Sequence, residues 1–311
     1  ALPVADTLLL SPICFPENPY HRLVKDYKLV PQSRNDPLLD ARLSSVLFHD
    51  EIKELENLRL LHPEFFAALN DALSGCSRNR LAEGWRAIMG GRTETNACRI
   101  PASLHGQICS TALARWTMHP NAPDEQRWAF AYALSWLRVS GARSVLPPWV
   151  RHRFPFTTTI LDELRTTPCD ADSCAYCRTV FSPETQLSRY FGFDSFRSEP
   201  VAPDGTSLQR AITVAGFRNE SLLAILPTGG GKSLCFQLPA LVRNFRRGQL
   251  TVVVSPLQSL MKDQVDGLIR RTGIDTVAAL YGMLTMPERG EVLRRTAMGD
   301  LALLYVSPEQ L

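Results

Sequence analysis

The segment Leu226-Pro227-Thr228-Gly229-Gly230-Gly231-Lys232-Ser233 constrains this chain more than any other stretch. It follows a short apolar run, Leu222–Leu226, and opens a segment of helical spacing, Lys232–Leu241. Three glycines let the backbone come close to a phosphate and turn its N–H groups inward. A helix starting at Lys232 adds partial positive charge at the same place. In that frame Lys232 is placed to reach the β- and γ-phosphates of a nucleotide, and the Ser233 hydroxyl to ligate Mg²⁺. The strict pattern has Gly where Leu226 stands. The bland alternative, a glycine turn followed by a chance Lys-Ser, does not account for the strand–loop–helix frame.

The residues beyond the loop extend that frame. Leu250–Val254 and Leu301–Val306 are continuous apolar runs of the kind that form buried parallel strands, and Val277–Tyr281 is a weaker example. Helical segments over Gln258–Arg270 and Pro287–Met298 separate them. Strand alternating with helix predicts an α/β domain with a parallel sheet, and four strands if Leu222–Leu226 is included.

Upstream, the pattern is different. Residues 1–37 are rich in proline and predict an irregular lead-in. From 38 to 167 the spacing is helical, which predicts a helical accessory domain. Pro63 follows His62 at a first helical position, and Phe65, Phe66, Leu69, Ala72 and Leu73 mark one face before Gly75. Leu104, Ile108, Ala112 and Trp116 keep a four-residue step, as do Trp128, Tyr132, Trp136 and Val139. Ser182-Pro183-Glu184 opens a short helix to about Tyr190, and 199–207 predicts a loop. The boundaries expected are therefore 1–37, 38–167, a junction at 168–186, and an α/β lobe at 187–311.

Charge adds one more clue. The net charge over 311 residues is only +3, too little to imply a polyanionic partner by itself. Residues 126–161 hold no acid but carry Arg127, Arg138, Arg143, Arg151 and Arg153 among Trp128, Trp136 and Trp149. Guanidinium groups beside aromatic rings suit a nucleic-acid strand, and they equally suit a solvated helix face over buried tryptophans. With 45% hydrophobic and 21% charged residues, the chain is not disordered or fibrous, and no apolar stretch is long enough to span a membrane. It begins Ala1-Leu2-Pro3, with no signal peptide to be read, so reduced thiols and a cytoplasmic location are expected.

Against that expectation, three of eight cysteines fall within nine residues: Cys169, Cys174 and Cys177. The spacing C-x₄-C-x₂-C in a tight loop lets thiolates converge on one ion. Zinc needs four ligands, and Cys98, Cys109 and His152 are all open as the fourth. The same spacing occurs in plant-type [2Fe–2S] sites, and three reduced structural thiols are the remaining reading.

The residues around the glycine loop also carry a family resemblance. Ile225 to Leu241 resembles motif I of RecQ-type superfamily-two helicases, which tolerates a first position other than Gly. Val252 to Val265 (VVVSPLQSLMKDQV) resembles motif Ia. Leu304 to Leu311 resembles the strand and turn before motif II, with Gln310 where Arg is usual. Phe191-Gly192-Phe193-Asp194-Ser195-Phe196-Arg197 resembles the adenine-reading motif. The resemblance covers about 190–311 and implies a RecA-like lobe, ATP with Mg²⁺, and DNA as partner. It implies that Phe193 and Arg197 pack on adenine and that Ser255, Pro256, Ser259, Lys262 and Gln264 contact single-stranded DNA. The family's Gln would fall at Pro200; Gln209 takes its place if 199–207 is an inserted loop. A Gln amide can pair with adenine N6 and N7.

The helical region, cysteine cluster and insertion together are similar to the DpdF family, RecQ-like helicases of bacterial systems that place 7-deazaguanine in DNA and restrict unmodified DNA. That similarity implies other restriction proteins as partners and no membrane. The family's own zinc site follows its second lobe, so Cys169, Cys174 and Cys177 do not correspond to it. Motif II and the second lobe with its arginine finger are expected past Leu311, so these 311 residues alone are expected to hydrolyse ATP negligibly. The expected function is ATP-dependent DNA unwinding; a translocase that separates no strands and a nucleotide-switched DNA-binding module are the alternatives.

Overall fold

The computed structural model describes residues 4–18, 37–76, 80–89, 98–140, 145–169 and 171–311. They fall into two compact units, 1–164 and 165–311. Among the described residues no helix is long and apolar enough to cross a membrane.

The first unit is helical: α1 (Thr7–Cys14), α2 (Pro37–Leu61), α3 (Pro63–Ser74), α4 (Arg80–Met89), α5 (Ser110–Arg115), α6 (Asp124–Arg138), α7 (Pro148–Arg153) and α8 (Phe156–Arg165). Its axis is α6, in which every residue from Arg127 to Leu137 is buried. Alanines at 129, 131 and 133 keep part of the surface thin, so α1 and α3 approach closely while Trp128, Phe130, Tyr132 and Trp136 fill the space between. The Tyr132 hydroxyl donates to Leu9 O at 3.0 Å and fastens α1. Trp116 stacks on Phe130 at 4.9 Å between centroids.

Three sequence expectations change here. Residues 7–14, expected to be irregular, form α1: Asp6 accepts from the Leu8 N–H at 3.0 Å, and the apolar face of the helix is covered by the core. The Leu104–Trp116 stripe is not one helix but a 3₁₀ turn over Ala102–Gln107 followed by α5. The basic stretch is largely structural. Arg127 is 2% exposed; its Nε donates to Ala122 O and its Nη1 to Ala72 O, both at 3.2 Å, and its Nη2 donates to Pro120 O. Ala72 O is one of the last carbonyls of α3, where a cation is favoured. Gly75 makes room for it, since a Cβ there would stand 2.2 Å from Arg127 Nη1. Arg138 lies over the Phe65 ring at 5.5 Å. Arg151 donates to Leu146 O, Arg153 is exposed, and Arg143 lies outside the described residues.

The second unit begins with α9 (Ala175–Val180), α10 (Pro183–Phe191) and α11 (Leu208–Phe217). Ser182 Oγ accepts from the Thr185 N–H at 3.1 Å to start α10, and Gly192, at φ +67°, ends it. Then come α12 (Lys232–Arg247), β1 (Thr251–Val254), α13 (Gln258–Thr272), β2 (Val277–Leu280), α14 (Met286–Met298) and β3 (Leu303–Val306). The sheet is parallel in the order β1-β3-β2, with Val252 and Ala278 both opposite Leu304. The buried β3 is its centre. This is a partial RecA-like lobe following a helical region, an α/β architecture.

One expected strand is missing. Leu222–Leu226 forms no strand and pairs with nothing among the described residues, and Leu223 and Ile225 are 90% and 81% exposed. An apolar run becomes a strand only where a neighbour takes its N–H and C=O groups. β1 shows the same effect more weakly: it has one partner, and Val252 and Val254 remain about half exposed.

Burial also leaves a pH-sensitive group in the first unit. Glu51, in α2, is fully buried, and neither carboxylate oxygen has a hydrogen-bond partner among the described residues. Burial, reinforced by the Asp6 charge, pushes its pKa up to about 8 from the ordinary 4.5. The folded state therefore holds a proton that the unfolded chain has lost, so this group's contribution to stability falls as pH rises from about 4.5 to about 8. Melting temperature across that range should drop more steeply in the native chain than in Glu51→Gln; parallel curves would show that Glu51 is not the responsible group.

Candidate functional site

The phosphate-loop segment forms a turn that a nucleotide could enter. Gly229 and Gly231 adopt φ +78° and +76°, the left-handed region where a side chain is strained. The Gly230 N–H donates to Pro227 O at 3.0 Å, which closes the turn, and Gly231 is the residue before α12. The N–H groups of the first turn of α12 thus face the loop. Lys232 is exposed and Ser233 half-buried at the rim. The loop lines a cavity of about 970 Å³, which Thr228 to Ser233 share with Phe193, Arg197, Gln209, Ser255 and Gln264.

The loop expected at 199–207 decides where Gln209 stands. It is a small hairpin: Val201 bridges Ser207, the Ala202 N–H donates to Thr206 O at 2.7 Å, and the Leu208 N–H to Pro200 O at 2.8 Å. This returns the chain so that α11 starts beside Arg197. Gln209 is 4% exposed; its Oε1 accepts from the Arg197 N–H at 3.0 Å and its Nε2 donates to Gly231 O at 3.1 Å. One amide therefore joins the aromatic-Arg segment to the phosphate loop. Phe193 is half exposed and stacks on buried Phe191, with ring planes 14° apart. The Arg197 side chain is exposed.

The motif Ia residues divide. Pro256, Ser259 and Lys262 are exposed and Ser255 is half-buried at the end of β1, its N–H donating to Val306 O. Gln264 turns the other way, toward the cavity, and its Oε1 accepts from Gln237 Nε2 at 3.1 Å. It shares the inward face of α13 with Met261 and Leu268. The same Gln237 nitrogen donates to the Tyr305 hydroxyl at 2.9 Å. Burial pushes Tyr305 up to about 12, so it stays a phenol. This three-residue link among α12, α13 and β3 was not anticipated. The available signal was a lone Gln within the apolar face of a helix. Gln310, the departure from the family pattern, is bonded by Arg289 Nη1 of α14.

The cysteine trio is brought together. The Sγ atoms of Cys169, Cys174 and Cys177 all lie within 4.8 Å of one another. In the first unit Cys98 Sγ accepts from Arg127 Nη1 at 3.8 Å, the Cys109 N–H donates to Leu164 O at 2.9 Å, and His152 is exposed on α7.

Residues 206–311 match the family model for the DEAD/DEAH box helicase. Similar proteins include the ATP-dependent DNA helicase RecQ of Synechocystis, 44% identical over 130 residues, or 42% of this chain and 24% of the relative. RecQ of Bacillus subtilis is 38% identical over 128 residues (41% and 19%), and helicase Q5 of mouse is 40% identical over 126 (40% and 11%). This segment is similar to the DEAD/DEAH box helicase domain and to part of the RecQ helicases. The chain spans about a quarter or less of the length of these relatives.

The Gln237 link gives a stability prediction. Gln237→Leu leaves the Tyr305 hydroxyl and Gln264 Oε1 without their donor, which should cost about 1–3 kcal/mol in denaturant unfolding. Adding Tyr305→Phe should recover part of that loss, and strict additivity of the two substitutions would show that the bond contributes nothing.

Proposed function

We propose that this chain is part of an ATP-dependent DNA helicase that couples ATP hydrolysis to strand separation. The observation that carries the reading is the cavity in which the Phe193–Arg197 segment, Gln209 and the glycine loop meet, joined by the Gln209 amide. Adenine would lie against Phe193 and Arg197. Thr228 and the backbone of Gly229, Gly230 and Gly231 would hold the phosphates, with Lys232 as the point charge on the β- and γ-oxygens and Ser233 toward Mg²⁺. Gln209 Nε2 is already spent on Gly231 O, so adenine recognition would draw on its second N–H and on a second lone pair of Oε1.

The reading extends to DNA. Exposed Pro256, Ser259 and Lys262, with half-buried Ser255, form a set where ligands bind in parallel sheets, beyond the carboxyl end of a strand. Gln264 belongs instead to the link with α12, and its part would be to connect the nucleotide cavity with α13. The named relatives are DNA helicases, which supports DNA as substrate; a cytoplasmic setting belongs to the same proposal. A helical region, a cysteine cluster and a hairpin before Gln209 on one chain support a place among the helicases of 7-deazaguanine restriction systems.

In the full-length protein, Lys232→Ala should abolish ATP turnover while leaving the melting temperature unchanged, because the lost charge acts on transferring phosphate. Unchanged turnover would overturn the phosphate-loop assignment. Turnover without displacement of a strand from a forked duplex would replace unwinding with translocation.

Adenine reading has its own test. Gln209→Ala should lower the preference for ATP over GTP at least several-fold in nucleotide-binding titrations. Full retention of that preference would place adenine recognition elsewhere.

A further inference from the structure

The geometry points to a structural zinc ion on Cys169, Cys174 and Cys177, independent of the ATP reading. Cys174 and Cys177 are buried, at 1% and 6% exposure, and Cys169 is half-buried. The first lies two residues after the turn that ends α8, the second directly precedes α9, and the third lies in its first turn. The Cys169 N–H points at Cys177 Sγ, 3.5 Å away. An amide donor on sulfur stabilises the thiolate, the form that binds metal.

Spacing decides between the two metal chemistries. Thiolates around one tetrahedral zinc, at 2.3 Å each, stand about 3.8 Å apart. Three Sγ atoms already within 4.8 Å need little movement to reach that arrangement. A [2Fe–2S] cluster divides its cysteines between two irons and must hold some thiolates apart by the width of the cluster. The observed convergence fits a single ion. A shallow recess bordered by Pro168, Asp172, Arg178 and Ser182 opens onto Cys169 and Cys177 and gives the ion an entry path.

The ion would fasten the start of a short segment. α9 is six residues long, and the Cys174 side chain makes no cap bond. Yet α9 carries Tyr176, whose hydroxyl accepts from Arg165 Nε at 3.1 Å and donates to Arg165 O at 3.0 Å. The Arg165 guanidinium in turn lies 4.7 Å from the Phe245 centroid on α12. Zinc on the three thiolates would keep Tyr176 in register with Arg165 and so seat α9 against α12.

The test is elemental analysis and an absorption spectrum of the chain purified anaerobically without added metal. About one zinc per chain and no visible absorption are expected, with zinc falling below a tenth of that in Cys174→Ser and unchanged in Lys232→Ala. Should Cys174→Ser fail to fold, a mercurial thiol reagent added to the native chain should release its zinc to a colorimetric dye as three or more thiols react. A metal-free native chain, two irons per chain with visible absorption, or full zinc retention in Cys174→Ser would overturn the assignment. Since the metal measurements involve no nucleotide, they can fail or succeed apart from the ATPase assays.

Discussion

The carbonyl of Gly231 and the amide of Arg197 are twenty-two and twelve residues from Gln209, and that one side chain bonds both. The rest of the candidate nucleotide cavity depends on this bridge. A glycine loop by itself holds an anion but does not choose one. What turns the loop into a candidate ATP site is an aromatic-Arg segment held at a fixed place beside it. The fixing is backbone to side chain at both ends, so it does not depend on rotamers of exposed residues. Gly231 must lack a Cβ for two reasons: its φ is +76°, and a Cβ would stand 2.1 Å from Gln209 Nε2. The same glycine thus serves the turn and the bridge.

Behind the cavity, the α/β unit is held by two kinds of polar interior. One is neutral: Gln237, Gln264 and Tyr305 tie α12, α13 and β3 through amides and a phenol. The other is cationic. Buried Arg165 lies 4.7 Å from the Phe245 centroid and buried Arg246 4.9 Å from that of Phe181, while exposed Arg189 covers the Phe245 ring from outside at 4.7 Å. Burial pushes the pKa of Arg165 and Arg246 down, but a guanidinium starts so high that it stays charged. Rings can shelter such cations because their faces are electron-rich and guanidinium is weakly hydrated.

How much of this was legible depended on whether the signal was local. The phosphate loop, the helices α12 to α14 and the strands β1 to β3 follow from spacing and turn chemistry within a few residues, and the structure has them near the expected places, though α12 runs on to Arg247 rather than ending at Leu241. So does α3, where Pro63 and Gly75 mark the ends. Leu222–Leu226 failed because strand formation depends on a neighbour, which a run of apolar residues does not specify. Arg127 failed for a related reason. Its charge suggested a surface, but three backbone carbonyls and a glycine gap, drawn from α3 and the approach to α6, make an interior place for it. Gln209 was singled out because the departure from the family spacing was read as an insertion; the structure has a hairpin at 201–207 and sets Gln209 between Arg197 and Gly231.

The placement of charge in the cavity completes the physical account. The groups that are pinned, Gln209 and the Gly231 carbonyl, are neutral dipoles. The groups that carry charge, Lys232 and Arg197, are exposed at its edge. A cation at the rim keeps its water and pays no desolvation until a phosphate arrives to compensate it. Fixed dipoles, by contrast, cost little to hold in place and need no reorganisation when the anion enters. The cavity therefore keeps its geometry in neutral backbone and amides and leaves its own cations solvated, a division that suits the proposed binding of a highly charged nucleotide.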